Sequence, residues 1–149
     1  MDLVASGEGL TSQITAVDTS VQSGPEDGIL HFLIPTEDHD LMYTLHGEPR
    51  DSTAGSVWIE VITGDGETGL AGAVVSLSAD HAPAILLGGE GEPRRSQTVE
   101  ERAAIVAFGN VPAVETVVSV AVPGGETCVG RTTITPTAGA VTYARLRCD

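Results

Sequence analysis

Residues 55–77 read Gly55-Ser-Val-Trp-Ile-Glu-Val-Ile-Thr-Gly-Asp-Gly-Glu-Thr-Gly-Leu-Ala-Gly-Ala-Val-Val-Ser-Leu77. Val57–Ile62 carries β-branched residues at alternate positions. This predicts a strand with Val57, Ile59 and Val61 on one face and Trp58, Glu60 and Ile62 on the other. Thr63-Gly-Asp-Gly-Glu-Thr-Gly69 has the residues of a turn. Ala73, Val75 and Leu77 alternate inward on a second strand, and Ala84–Leu87 reads as a third. Further on, Ala107-Phe-Gly-Asn-Val-Pro-Ala113 and Val117-Val-Ser-Val-Ala-Val-Pro-Gly124 continue the pattern, with Val118, Val120 and Val122 as another core row. Short apolar runs broken by 18 Gly and 8 Pro favour strands and turns over helices.

These stretches together resemble the carboxypeptidase regulatory-like, or prealbumin-like, β-sandwich family, which is related to the Cna-B repeats of bacterial surface proteins. The resemblance rests on the strand, the Thr-Gly turn, Gly72-Ala-Val-Val-Ser-Leu77, Phe108-Gly-Asn-Val-Pro112 and the Val-rich strand after it. It implies an all-β, Ig-like sandwich that serves as a scaffold or adhesive spacer. It also implies that Val57, Ile59 and Val61 point into the core and that Phe108 is buried between the sheets. Trp58 and Ile62 then lie on the outer face. Cna-B repeats often carry a Lys–Asn isopeptide bond, which this chain cannot form because it has no lysine.

The 149 residues fit one domain with an appendage. We divide them into residues 1–50, an N-terminal β arm, and residues 51–149, the sandwich. In the arm Gln13–Val17, Ile29–Ile34 and Leu41–His46 read as strands, the last two joined as a hairpin through Pro35-Thr-Glu-Asp-His-Asp40. Gly47–Gly55 reads as a linker. An arm this small cannot bury its own apolar residues. We therefore expect Ile29, Phe32 and Ile34 to cover Trp58 and Ile62, from the same chain or from a neighbour, which makes Trp58 and Ile62 candidate partner-binding residues.

The net charge is −14. Residues 1–49 hold nine acids and no Arg; residues 50–149 hold twelve acids and seven Arg. An acidic chain does not track phosphate backbones, so nucleic acid is not an expected partner. No stretch approaches the ~18 apolar residues of a membrane span. Met1-Asp-Leu-Val-Ala lacks the basic and apolar regions of a signal peptide. The acidity reads either as a solvated, repulsive surface or as a surface for a basic partner.

Cys128 and Cys148 are the strongest pair. A hairpin turning at Ala138 sets residues opposite one another when their numbers sum to 276, which places Cys128 against Cys148, within reach of a disulfide. The same register sets Arg131 against Arg145, with Arg147 nearby. Such a cluster calls for an anionic or carboxylate partner, or for the chain's own acids. Thr36-Glu-Asp-His-Asp40 offers carboxylates and an imidazole, but as a hairpin loop it turns His39 away from Asp38 and Asp40, so no metal site is expected. Gly88-Gly-Glu-Gly-Glu-Pro-Arg-Arg-Ser96 reads as a flexible loop without a phosphate-binding Lys. No nucleophile elbow or triad order is present. We expect a non-enzymatic module without cofactor, working through a protein partner or self-assembly, in a virion or outside the cell. The first setting suggests a phage capsid decoration or minor tail component. The second suggests a secreted or cell-surface module that binds glycan or protein.

Overall fold

The structure, a computed structural model, describes residues 2–16, 34–89 and 93–149. Its strands are β1 (Asp2–Ala5), β2 (Leu10–Thr11), β3 (Gln13–Ala16), β4 (Ile34–Pro35), β5 (Gly55–Thr63), β6 (Val74–Leu77), β7 (Ile85–Leu87), β8 (Arg94–Arg95), β9 (Ile105–Val111), β10 (Thr116–Ala121), β11 (Cys128–Gly130), β12 (Thr133–Ile134) and β13 (Val141–Cys148). Among the described residues there is one helix, α1 (Thr36–Leu45).

The chain is an all-β sandwich. Its larger sheet has the order β1-β3-β13-β5-β9-β7-β8, with β11 also on β13; the smaller has the order β12-β10-β6. β5 lies in the middle of the larger sheet, parallel to β13 and antiparallel to β9. A strand covered on both faces must be apolar on both. Val57, Ile59 and Val61 enter the inter-sheet core with Val75, Phe108, Val118, Ile134 and Leu146. Phe108 is fully buried there, while Val120 and Val122 are only partly buried at the margin.

β9 carries a bulge. Val57 faces Phe108, but Gly55 faces Val111, so β9 holds one extra residue. Asn110 takes up the kink at a φ of 53°, a left-handed conformation that Asn tolerates better than most residues. Its side chain accepts from the Asp51 amide at 2.8 Å and donates to the Pro49 carbonyl at 3.1 Å. The linker is thereby strapped to the sandwich.

The arm differs from its expected hairpin. Gln13–Ala16 is a strand, parallel to β13. Of the expected strand Ile29–Ile34, residues 29–33 lie outside the described residues, and Ile34 belongs to β4. Thr36–Leu45 is helical, neither loop nor strand. Pro35 fixes the entry, and Glu37 and Asp38 in the first turn face the positive end of the helix dipole. His39, Met42 and Tyr43 stand at i, i+3 and i+4 and so share one face. That face lies on the outer side of the large sheet, where Tyr43 packs with Trp58, Ile85, Ala107, Val141 and Tyr143. Leu41 and Leu45, in the expected strand Leu41–His46, are exposed on this helix.

The expected C-terminal hairpin is also interrupted. Its register holds for Cys128 with Cys148, Val129 with Arg147 and Gly130 with Leu146. It stops at Gly130, where φ is 145° and a Cβ would come within 2.4 Å of the Arg145 carbonyl oxygen. The chain then crosses to the small sheet, where Thr133 and Ile134 pair with Val117 and Thr116. The crossing buries Ile134 in the core. Arg131 therefore leaves the ladder before it can face Arg145. In the expected loop Gly88–Ser96, Arg94 and Arg95 instead pair with β7, and residues 90–92 lie outside the described residues.

Candidate interaction surface

On the outer face of the large sheet, Trp58 lies beneath α1. Its indole donates to the Tyr43 hydroxyl at 3.1 Å. Trp58 and Ile62 are both buried, and α1 of the same chain covers Trp58. Burial pushes the Tyr43 pKa up, against the hydrogen bonds with Ser56 and Trp58 that lower it.

A polar row continues along this face. Glu60 accepts hydrogen bonds from the Tyr143 hydroxyl and from Arg145 Nε. Burial raises the Tyr143 pKa, and the neighbouring Glu60 carboxylate adds to the shift. Burial works against the charge on Arg145, yet its pairing with Tyr143 and Glu60 wins and its pKa is raised. Arg147 donates to the Gly64 carbonyl, and Arg131 Nε donates to the Thr133 carbonyl at 3.2 Å. The three arginines thus make contacts at three separate places, with Arg145 on the Glu60 carboxylate. Cys128 and Cys148 are joined in a disulfide.

The acidic helix holds the chain's most chemically suggestive string. Ser56 Oγ lies 3.2 Å from His39 Nε2, and His39 Nδ1 lies 3.5 Å from Asp40 Oδ1. The order Ser–His–Asp matches a hydrolase triad, but a nucleophile must be reachable. Ser56 and His39 are each 2 % exposed, sealed between α1 and the sheet. The same Asp40 Oδ1 lies closer to Arg50, 2.9 Å from its Nε. His39 stacks on Trp58 and meets Tyr43 edge-on. Burial lowers the His39 pKa; the hydrogen bond with Asp40 opposes the shift and Arg50 adds to it. The string is a latch that holds α1 on the sheet. Among the described residues no three His, Cys, Asp or Glu side chains gather as a metal site.

The surface that stands apart is the outer face of the small sheet. Val75, Val118 and Ile134 point into the core. Alternation therefore sends Val74 and Ser76 on β6, Val117, Ser119 and Ala121 on β10, and Thr133 on β12 outward. All six are exposed. They adjoin one another, since Ser119 faces Ser76, Ala121 faces Val74 and Val117 faces Thr133. In a chain of net charge −14, this flat face carries no ionisable side chain. The sequence held the signal, because Thr116–Gly124 contains no charged residue. It becomes readable only once the inward row is fixed.

Compared with family models, with curated proteins and with solved structures, the chain gives no match. No helix among the described residues is long and apolar enough to cross a membrane.

Proposed function

We propose that this chain is a non-enzymatic structural module of the prealbumin-like kind, acting through protein–protein contacts. The setting we favour is a virion accessory, such as a capsid decoration or minor tail component of a phage. The charge-free outer face of the small sheet is the observation that carries this reading. Interfaces exclude charge from their centres, and exposed Val beside Ser and Thr offers flat contact at low desolvation cost. The acidic remainder of the surface keeps the module soluble and discourages contact anywhere else. A secreted or cell-surface module is the second reading, and the disulfide suits it equally, since both settings lie outside a reducing cytosol.

Ser119→Glu tests the proposal. The side chain points to solvent in the isolated chain, so stability should change by no more than about 0.5 kcal/mol. Incorporation into the native assembly should fall by about tenfold or more, because the carboxylate would be buried unpaired. Incorporation equal to the unmodified protein would remove this face from the account.

A further inference from the structure

The sandwich has an open seam. Ser78 N donates to the Val117 carbonyl, so the odd residues 117, 119 and 121 direct their backbone groups at β6. In an antiparallel ladder the intervening residues face the other way. On that side β12 pairs only with Thr116 and Val117, and the Val118 amide donates to the Thr132 carbonyl. Beyond Val118 no strand among the described residues lies on this second side of β10, so Val120 presents both its N–H and its C=O to the seam.

A cleft of 330 Å³ sits against this edge, lined by Val118, Val120, Val122, Cys128, Thr132 and Leu146. The chain leaves β11 at Gly130 for β12, and this crossing bridges the sheets at one end of the seam. The inward valines stand two residues apart, the spacing at which an extended chain presents side chains to one face.

We infer that the seam accepts an extended segment of a partner protein, which adds as a strand to β10 at Val118–Val122 and places small apolar side chains in the cleft. Free backbone groups supply affinity and the cleft supplies selectivity, as in other strand additions. Charge narrows the occupant. Glu126 lines the cleft, and Asp149 is hydrogen-bonded to the next residue, Thr127, through both of their amides. A second copy of this chain brings another −14. The fitting occupant is therefore a segment with small apolar residues at alternate positions and Lys or Arg beside them. This site is separate from the charge-free face and stands or falls independently of it.

The test uses the whole chain, isotope-labelled, and three synthetic heptapeptides. The first alternates Val and Thr between terminal lysines, the second has glutamates in place of the lysines, and the third has Pro at the central position. The lysine peptide should slow exchange of the Val120 amide by about tenfold or more and shift the resonances of Val118–Val122. The glutamate and proline peptides should bind about tenfold more weakly or worse. The inference is overturned if the shifts fall elsewhere, or if the proline peptide binds as well as the first. It is also overturned if the Val120 amide becomes protected with protein concentration alone, since the occupant would then be a second copy.

Discussion

Gly109→Ala should loosen α1 although it lies on the neighbouring strand. A Cβ built on Gly109 falls 2.7 Å from Tyr43 Cε1 and 2.9 Å from Cδ1. Comfortable carbon contacts need about 3.5 Å, so the ring must retreat by nearly 1 Å. Tyr43 is 1 % exposed and holds the Trp58 indole at 3.1 Å, so it has little room to do so. Gly109 is not among the residues with positive φ, so backbone strain does not enter. Overpacking of this kind costs about 1–3 kcal/mol, and the stretched hydrogen bond adds about 1 kcal/mol. Tyr43→Ala alone should cost about 3–5 kcal/mol, as for other buried aromatics. In the double variant the new methyl group points into the space the ring has left. The two costs should then fall short of additivity by about 1 kcal/mol or more. Urea unfolding followed by fluorescence reads this directly, because Trp58 is the only tryptophan. Additive costs, or a cost below about 0.5 kcal/mol for Gly109→Ala, would refute the packing of α1 on β9.

Two further outcomes follow from the same structure. Folded His39 has a pKa below its ordinary 6.5, chiefly through burial, so below pH 6.5 the unfolded chain binds more protons. Its contribution to stability is complete above about pH 6.5 and is lost as pH falls toward the folded value, by at most about 1.4 kcal/mol per pH unit; His39→Gln should flatten that part of a stability–pH profile, and an unchanged slope would show that His39 does not hold the helix. The Cys128–Cys148 bridge spans a sequence separation of 20, which corresponds to about 3 kcal/mol on the chain-entropy account; intact mass after alkylation without reductant should show no modified thiol, and a thermal melt unmoved by reductant would contradict the estimate.

The sandwich was legible where one residue determines the next. Once Val57, Ile59 and Val61 are inward, Trp58 and Ile62 must be outward, and the same alternation gave Val118; Phe108 was placed in the core by the family resemblance. The disulfide was legible because a hairpin register is arithmetic. That arithmetic failed at Gly130, where a non-local gain, the burial of Ile134 in the opposite sheet, outcompeted the local ladder. The helix was missed for a similar reason. Leu41, Tyr43 and Leu45 alternate as a strand would, but the acidic first turn after Pro35 and the i, i+3, i+4 spacing of His39, Met42 and Tyr43 were equally visible. Docking against Trp58 decided between the two patterns, and no local signal encodes it. The His39–Ser56 contact joins residues 17 positions apart and needed the fold to bring it together.

Hydrogen exchange of the protein within its native assembly, compared with the isolated chain, tests the central claim most directly. The account predicts slower exchange in peptides covering Val74–Leu77 and Thr116–Ala121, the two strands that carry the charge-free face, with α1 unchanged. Equal exchange in those strands in both states, or protection confined to α1, would contradict it.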